Sequence, residues 1–527
     1  MKKTALLLLF LLLLLFVTAC KESGQSSTEK PLPEANAEEL LTFTLDASKS
    51  GYLVKKCSKE AVGVLTVPDT YEGKPIVGIS KSAFSRCKSI VKITLPETVT
   101  SIEGFAFYAC EALESINLPS GITAIGESAF YGCQSLKAIA LPERLKTVEK
   151  ETFANCTSLE TLAFGISLRY IRESAFKGCG FQVLNIPKHL FNVEQMAFAE
   201  CRKLTELNVE YCPPGTKLPS SAPPDESDGQ MILGWSETAF YNCPIERASV
   251  PTDTAHAVAN PSLTSIHLYG TVIGAGVFHN APNLTSITLE TEESFMRCEN
   301  NCLYDPHTME LIAGCQTSVI PEGIVTIGNS AFEGCRYLKE ITLPQSVTKI
   351  DTHAFYGCSS LTEITLPQGV THIGNGAFSY CVELEKITMY DQITTIEEYA
   401  FESCDGVLKT ENGVTYVGRY IISADPEITA VTLRPDTLGI ADVAFRDCDK
   451  LREVLLPEGL TSIGGGAFSG CDTLQKVVIP QSIKAIGRYA FNNSPDLIIY
   501  IPLRKPLFDM ADNWNGNCRV YWDYKPE

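Results

Sequence analysis

Cysteine is the residue type in this sequence whose spacing could support chemistry. The chain has 20 cysteines among 527 residues, and 13 of them follow a regularly recurring phenylalanine by three positions. Thiols can form disulfides, bind metal ions or act as nucleophiles. The 13 regularly spaced residues are Cys87, Cys110, Cys133, Cys156, Cys179, Cys201, Cys243, Cys335, Cys358, Cys381, Cys404, Cys448 and Cys471.

Other catalytic signatures do not occur in the sequence. The seven histidines are spread over the chain, with no H-E-x-x-H motif and no cysteine–histidine spacing typical of a metal site. No nucleophile elbow is present either. We therefore expect a protein that is not an enzyme and that needs no metal or other cofactor.

The phenylalanines that precede these cysteines define an internal repeat of 15 units. The first four steps are 23 residues each, and the same step returns after Phe332. A fixed period of this length is typical of solenoid proteins. The repeating residues are Phe84, Phe107, Phe130, Phe153, Phe176, Phe198, Phe240, Phe278, Phe332, Phe355, Phe378, Phe401, Phe445, Phe468 and Phe491.

The unit from Leu113 to Cys133 shows why the repeat must stack. Leu113, Ile116 and Leu118 follow the L-x-x-L-x-L pattern of a half-buried strand, and Pro119 ends it because proline cannot donate to a strand ladder. The return path carries further apolar residues at Ile122, Ile125 and Phe130. One coil of 23 residues cannot bury these groups alone, whereas stacked coils can. The predicted fold is an α/β-type repeat solenoid, mostly of short β-strands and loops, with a parallel sheet.

The regular cysteines are interpreted as free thiols. Equivalent cysteines in adjacent coils would lie about 5 Å apart, but with parallel side chains, which is the wrong orientation for a disulfide. Ala281 and Ser494 occupy the same position in the two units that lack cysteine. The position therefore requires a small buried side chain, and cysteine is expected to serve there as a small hydrophobic residue.

Six further cysteines lie outside this register, apart from the leader cysteine discussed next. Cys298 and Cys302, with Cys315 nearby, could form a disulfide or a weak metal site, and the spacing does not choose between them or a pair of free thiols. The six residues are Cys57, Cys212, Cys298, Cys302, Cys315 and Cys518.

The first 20 residues have the layout of a secretory leader. Lys2 and Lys3 precede an apolar run from Ala5 to Val17, which is short for a membrane span. Val17-Thr18-Ala19-Cys20 resembles a bacterial lipobox, in which the cysteine is acylated and becomes the mature N-terminus. The alternative is an ordinary signal peptide with an incidental cysteine. The resemblance implies lipid attachment at Cys20 and export to the cell envelope, on its outer surface.

Places where the sequence departs from the 23-residue period define the remaining segments. Apolar alternation before the first complete unit predicts a capping hairpin, and the segment after the last unit predicts a C-terminal cap. Three interruptions predict insertions, of which the second and third have the pattern of β-hairpins at one edge of the solenoid. The predicted segments are a leader (1–19), a flexible tether (20–42), an N-terminal cap (43–82), the solenoid (83–495), insertions at about 212–229, 298–321 and 408–434, and a C-terminal cap (496–527).

The repeat closely resembles the BspA-like class of leucine-rich repeats. One unit reads Leu361-x-x-Ile364-x-Leu366-Pro367-x-x-Val370-x-x-Ile373-Gly374-x-x-Ala377-Phe378-x-x-Cys381. The resemblance covers about residues 51 to 520 and is weakest at about 202–331, where the array is irregular. It implies an exported protein of host-associated bacteria, with adhesion to host matrix proteins or to partner cells as the expected activity. It supplies no catalytic residues.

Charge narrows the classes of partner. Without Lys2 and Lys3 the chain has 41 basic and 62 acidic residues, a net charge of −21. A nucleic-acid partner is disfavoured because its phosphates require a basic surface. The remaining hypotheses are protein binding or adhesion at the cell surface and, as an alternative, a non-adhesive structural scaffold of the envelope.

The expected binding surface is the exposed face of the predicted sheet. Threonine and asparagine recur at the central exposed strand position, although threonine also suits exposed strands for its own reasons. We expect Thr342, Thr365 and Thr388 to form one row in the most regular coils, whose rigidity would lower the ordering cost of binding. The three insertions are the alternative sites.

Overall fold

The structure, a computed structural model, describes residues 36–210, 234–270, 273–290, 295–502 and 509–525. Within these ranges the chain forms a solenoid, as predicted. Most regular coils contribute two short parallel strands, followed by a turn segment that contains the Ala-Phe-x-x-Cys residues. Equivalent residues in adjacent coils pair in register, as Ile364 does with Ile387, 23 residues later.

The strands of the first series lie within the leucine-rich part of the coils, as the sequence predicts. Its exposed positions alternate with buried ones. Its members are β3 (Val62–Thr66), β6 (Ser89–Thr94), β8 (Ser115–Ile116), β10 (Ala138–Ala140), β12 (Thr161–Ala163), β14 (Val183–Ile186), β16 (Glu206–Val209), β18 (Arg247–Pro251), β19 (Ser265–Tyr269), β20 (Ser286–Glu290), β26 (Glu363–Thr365), β28 (Lys386–Thr388), β33 (Ala430–Thr432), β35 (Glu453–Leu455), β37 (Lys476–Val478), β39 (Ile498–Ile501) and β41 (Arg519–Trp522).

A second strand series, absent from the sequence-based prediction, follows the proline that most coils contain. Most of its strands are only two residues long, too short to show an alternating pattern. Its members are β5 (Lys74–Ile79), β7 (Ser101–Ile102), β9 (Ala124–Ile125), β11 (Thr147–Val148), β13 (Tyr170–Ile171), β15 (Asn192–Val193), β17 (Gly234–Trp235), β24 (Thr326–Ile327), β25 (Lys349–Ile350), β27 (His372–Ile373), β29 (Thr395–Ile396), β34 (Gly439–Ile440), β36 (Ser462–Ile463), β38 (Ala485–Ile486) and β40 (Asp509–Met510).

The turn segments form a third hydrogen-bonded face. The backbone N–H of Phe378 donates to the carbonyl oxygen of Ala400 in the next coil, at 2.8 Å, and the same bond recurs along the array. Residues two before and two after the phenylalanine adopt left-handed backbone conformations, as His353 (φ 55°) and Gly357 (φ 70°) do around Phe355. Backbone hydrogen bonds thus link adjacent coils on three sides.

Some turn segments begin with glycine, and at Gly374 this residue is required by close packing rather than by a left-handed φ. Gly374 is not among the positive-φ residues of the described chain. A Cβ atom there would lie 2.5 Å from the backbone nitrogen of Thr352 and 2.6 Å from the carbonyl carbon of Asp351. The adjacent coil leaves no room for a side chain at this position.

The core is a column of parallel phenylalanine rings. Stacked rings in neighbouring coils have centroids 4.9–5.4 Å apart. Phe378, for example, lies 5.3 Å from Phe355 and 5.4 Å from Phe401, and it is fully buried. Offset ring pairs of this kind add to the apolar burial of each side chain.

Beside the rings, the regular cysteines form a column of hydrogen-bond donors. The thiol of Cys358 donates to the carbonyl oxygen of Phe332 at 3.2 Å, and the thiol of Cys471 to that of Phe445 at 3.2 Å. Ser494 makes the same bond through its hydroxyl group, to Phe468 at 3.1 Å. The sequence-based view of this position as a small hydrophobic site was therefore incomplete, because most of its occupants also donate to the preceding coil.

Both ends of the described array have caps. Helix α1 (Ala37–Leu40) precedes β1 (Leu41–Leu45), which pairs antiparallel with β2 (Tyr52–Cys57), and β4 (Thr70–Tyr71) pairs with β5. The N-terminal cap begins before residue 43, and its antiparallel hairpin joins β2 to the preceding β1 rather than to β3. At the other end, β41 extends the first series, and Trp514 packs against Phe491 with ring centroids 6.1 Å apart.

The second and third insertions are built into the array rather than attached at its edge. Each forms three antiparallel strands, the last of which pairs in parallel with a second-series strand. The hydrophobic core is divided into three clusters at these two insertions. Residues of the insertions such as Leu303 and Val414 are fully buried and belong to the core. The strands are β21 (Arg297–Glu299), β22 (Cys302–Asp305), β23 (Glu310–Ala313), β30 (Leu408–Glu411), β31 (Val414–Val417) and β32 (Tyr420–Ala424).

Three of the predicted features lie outside the described residues. These are the leader with Cys20, most of the tether, and the insertion at 212–229 with Cys212. Among the residues that are described, no helix has the length and apolar character needed to cross a membrane.

Candidate functional site

The structure brings together two of the three threonines predicted to form a binding row. Thr365 and Thr388 are directly paired across β26 and β28. Thr365 is exposed and Thr388 half-buried. Thr342 is exposed at the equivalent position of the preceding coil, but it lies outside any strand, so the expected three-stranded row is reduced to a two-stranded sheet.

Ion pairs between adjacent coils flank this surface. Lys386 Nζ lies 3.0 Å from Glu363 Oε2. The same relationship recurs between Lys137 and Glu114, at 2.7 Å. These side chains are more than 45% exposed, so each pair adds little stability. They hold long side chains in defined positions beside the threonines.

Several polar residues of the predicted row are used for internal contacts. Asn117 donates to the carbonyl oxygen of Leu95 at 2.9 Å and accepts from its N–H at 2.7 Å. His267 Nδ1 lies 2.9 Å from Thr288 Oγ1. Such positions complete the coil-to-coil hydrogen bonding, so not every polar residue of the row is available for a partner.

The longest described sheet of the first series lies in the irregular middle of the array. It contains five strands, from β14 to β20, whereas the regular coils at 363–388 contribute a sheet of two. The coils with the most regular sequence therefore do not carry the most continuous first-series sheet. Short, frequent turns around proline interrupt the strands there, as at Pro367.

A groove in this middle region was missed by the sequence analysis. Ala248 of β18 pairs with Ile266 of β19, only 18 residues later, because this coil has no Ala-Phe-x-x-Cys segment. A 3-10 helix (Thr252–Ala257) takes its place. The missing turn leaves an open groove of about 920 Å³ between the turn segments at 236–243 and 274–281. The 38-residue step from Phe240 to Phe278 was the available sequence signal.

Mixed polar and aromatic residues line the groove. They include Glu237, Asp253, His256 and His279, together with Tyr241, whose side chain is 57% exposed. His256 Nε2 lies 3.3 Å from the carbonyl oxygen of Trp235 at the base of the adjacent coil. The groove can therefore offer both hydrogen bonds and an aromatic surface to a partner.

The cysteines show no paired chemistry. All 18 cysteines of the described ranges have free thiols, and these ranges contain no cluster of histidine, cysteine and carboxylate side chains suited to a metal. Cys298 donates to Ile287 O at 3.2 Å and Cys302 to Val319 O at 3.5 Å, while Cys315 Sγ lies 3.4 Å from Thr317 Oγ1. The sequence left a disulfide, a metal site and free thiols open for these three residues. In the structure they are separate free thiols.

Of the cysteines outside the register, Cys518 extends the thiol column, whereas Cys57 takes the place of a phenylalanine before the first coil. Cys518 donates to Phe491 O at 3.1 Å, as the regular cysteines do. The backbone N–H of Cys57 donates to Ala83 O at 2.8 Å, the bond that phenylalanine makes in later coils. Burial raises the pKa of the Cys518 thiol to about 11 and that of Cys471 to about 12, which keeps both protonated.

One buried carboxyl group has a strongly shifted pKa. Burial raises the pKa of Asp442 to about 6. The N–H of Gly465, which donates to its carboxylate at 2.6 Å, lowers the pKa but does not offset the effect of burial. The nearby Glu397 and Glu398 raise it further. Asp442 follows the third insertion, and its N–H donates to the carbonyl oxygen of Ile396, which precedes that insertion in the chain. Its contacts assign it to coil packing.

Comparison with solved structures finds other bacterial leucine-rich-repeat proteins. A protein from T. pallidum is 29% identical, with 34% of this chain and 85% of that chain covered and a TM-score of 0.31. A protein from Bacteroides ovatus is 21% identical over 92% and 98% of the two chains, with a TM-score of 0.38. A leucine-rich cell surface protein from Faecalibacterium prausnitzii is 20% identical over 86% and 94%, with a TM-score of 0.28.

The comparison with curated proteins finds no match. The BspA type leucine rich repeat region matches residues 77–205, 232–310, 312–410 and 407–498, in six copies. These ranges cover well over half of the sequence and contain the phenylalanine and cysteine columns described above. The chain belongs to the BspA-type leucine-rich-repeat family.

Proposed function

We propose that this protein is a lipid-anchored component of the bacterial cell envelope that binds protein partners at the outer surface. The partners are host matrix proteins or other cells, and the anchor is the acylated Cys20. Support for the anchor comes from the Val17–Cys20 motif, and support for protein binding from the leucine-rich-repeat family. No catalytic role is proposed.

The observation that carries the proposal is the exposed polar surface around Thr365 and Thr388. These side chains are directly paired, and neither is a buried core residue. The Glu363–Lys386 ion pair beside them and the hydrogen-bonded coils beneath reduce the conformational freedom that binding would otherwise remove. With Thr342, this surface is the proposed contact for a large partner.

The groove at 236–281 is a second candidate for the contact. The observation that favours the groove as a contact site is Tyr241, an aromatic side chain exposed on the wall of the groove. Aromatic anchors dominate the energetics of many protein interfaces. A structural scaffold without a surface partner remains the alternative function.

The experiment replaces Thr342, Thr365 and Thr388 with lysine and measures adhesion to matrix proteins and to partner cells. We expect the loss of most adhesion, because three lysines would introduce bulk and charge into the contact. The matched control replaces Thr348, Thr371 and Thr394 of the same coils with lysine. As in the first set, two of these three threonines are exposed and one is half-buried. Each of these threonines immediately precedes a strand of the second series, and Thr371 N donates to Thr348 O at 2.9 Å.

Equal adhesion of the two folded triple variants would refute the threonine surface. Tyr241→Ala would then test the groove. If neither surface affects adhesion and protease treatment of intact cells leaves the protein uncut, the scaffold function is favoured.

A further inference from the structure

An exposed cleft at the N-terminal end of the solenoid is lined by five cations. Its remaining lining residues are serine and aromatic, and no carboxylate belongs to the lining. The chain as a whole has 43 basic and 62 acidic residues, so a purely basic cleft runs against its overall charge. The five cations are Lys55, Lys56, Lys59, Lys81 and Arg86.

The fold assembles the cleft from three separate parts of the sequence. Lys55 and Lys56 lie in β2 of the cap, Lys81 and Arg86 in the first turn segment, and Phe105 in the second. The open volume between them is about 490 Å³. All five cationic residues are exposed.

The cations keep their charge available. Within the described ranges, none of the five charged groups forms an ion pair with a carboxylate, although Glu103 Oε2 accepts the backbone N–H of Lys81 at 2.7 Å. Lys88, just outside the cleft, is in contrast paired with Glu111 at 2.7 Å. Lys59 donates to Ser85 O, and its Nζ lies 3.8 Å from Cys87 Sγ.

Aromatic rings form one wall of the cleft. Phe105 and Tyr108 are half-buried, with ring centroids 5.8 Å apart. Lys81 Nζ lies 5.7 Å from the centroid of Phe105. Exposed cations beside partly exposed aromatic rings are the combination found where proteins meet the headgroup region of a membrane.

The position of the cleft in the chain favours the same partner. Residues 21–35 separate Cys20 from the first described residue, and 15 residues can span at most about 50 Å. The cap strand β1, at residues 41–45, pairs directly with β2, which carries Lys55 and Lys56. The cleft is therefore held close to any membrane in which Cys20 is anchored.

We propose that this cleft binds anionic phospholipid headgroups of the membrane that holds the lipid anchor. The proposal rests on the proposed lipid attachment at Cys20. Each lysine or arginine near an anionic membrane surface contributes favourable binding energy, whereas acidic residues beyond about 10 Å are screened by salt. The basic patch would add an electrostatic contact with the membrane to the acyl anchor.

This contact would orient the solenoid. With the N-terminal cap on the membrane, the later coils and the threonine surface point away from it. The net negative charge of the remaining chain favours the same orientation, because an anionic surface repels it.

The test uses the full chain without the anchor, as Cys20→Ser, in sedimentation with vesicles. We expect binding to vesicles rich in phosphatidylglycerol, no binding to pure phosphatidylcholine, and release by added salt. Reversing four cleft charges, as Lys55→Glu, Lys56→Glu, Lys81→Glu and Arg86→Glu, should weaken binding at least about tenfold. Lys59 is left unchanged because it contacts the first coil.

The matched control reverses four exposed charges elsewhere, as Lys339→Glu, Lys409→Glu, Arg452→Glu and Lys484→Glu. It changes the net charge equally and should retain most of the binding. Equal weakening of the two folded variants, or no binding of the Cys20→Ser chain to anionic vesicles, would overturn the proposal. Should the cleft variant not fold, Lys55→Gln with Lys56→Gln must still weaken binding.

Two further arms separate the possible explanations. Binding that is abolished by inorganic phosphate at constant ionic strength, whatever the vesicle composition, would assign the cleft to a small anion and overturn the membrane proposal. Membrane fractionation of cells expressing the unaltered Cys20 chain tests the anchor independently, so failure of the cleft and failure of the anchor give different results.

Discussion

The thiol sulfur of Cys381 lies 3.2 Å from the carbonyl oxygen of Phe355, which belongs to the preceding coil. The same oxygen accepts the backbone N–H of Cys358 at 3.1 Å. One carbonyl group therefore closes a turn within its own coil and receives a side-chain donor from the next coil. This relationship gives the cysteine a structural role and leads to the first two predictions.

Replacing Cys381 should separate the donor role from simple space filling. Cys381→Ala removes the donor and should lower the free energy of unfolding by about 1 kcal/mol or more. Cys381→Ser should cost less, because Ser494 already makes the equivalent bond at 3.1 Å. Urea unfolding of the two variants provides the measurement, and an alanine variant as stable as the serine variant would refute the donor role.

The buried thiols should make stability fall at alkaline pH. Burial raises the pKa of Cys471 to about 12, whereas a thiol in the unfolded chain titrates near about 8.5. The stabilising contribution is complete below about pH 8.5 and is lost as the pH rises towards about 12, since only the unfolded state releases the proton.

Comparison with Cys471→Ser isolates this effect from other alkaline titrations. The stability difference between the two proteins should shift by about 2 kcal/mol between about pH 8.5 and about pH 10, against the protein with the thiol. Urea unfolding at the two pH values measures it. A difference that does not change with pH would show that Cys471 ionises freely in the folded state.

The phenylalanine column should be the main source of stability in the regular coils. Phe378→Ala removes a fully buried ring from between Phe355 and Phe401 and should cost about 3–5 kcal/mol. Val382→Ala is the control in the same coil, because Val382 is 54% exposed, and it should cost far less. Amide exchange in these coils reports the local free energy of opening, and a loss below about 1 kcal/mol for Phe378→Ala would contradict its place in the core.

Two glycines of one coil should respond differently to alanine. Gly374→Ala places a methyl group 2.5 Å from the backbone nitrogen of Thr352, so the coils must separate, at a cost of about 1–3 kcal/mol. At Gly369 the nearest atom to a new Cβ is 3.5 Å away, so alanine should be tolerated or slightly stabilising. Thermal unfolding of both variants provides the measurement. Equal changes in stability would show that coil packing does not require Gly374.

Cys20→Ser tests the anchor. The variant should leave the membrane fraction and appear in the soluble fraction, because no acyl chain can be attached to serine by a thioether bond. Lys21→Ser is the neighbouring control and should remain with the membrane. A Cys20→Ser chain that fractionates fully with membranes would contradict lipid attachment.

The sequence by itself determined the repeat, the core and the family. Leu361, Ile364, Phe378 and Cys381 recur at a constant spacing, and a coil of 23 residues can bury such side chains only against copies of itself. Periodicity is a local property, so a single chain displays it without any structure. A capping segment before the first coil was also expected from local apolar alternation.

Only the tertiary structure decided how residues of different coils meet. The second strand series, the thiol donors and the close approach at Gly374 depend on backbone atoms about 23 residues away. The insertions were recognised but misplaced, because their burial depends on the coils on either side. The groove beside Tyr241 and the cleft between Lys55 and Arg86 arise where a coil departs from the period, and no spacing in the sequence specifies the shape of the space that remains.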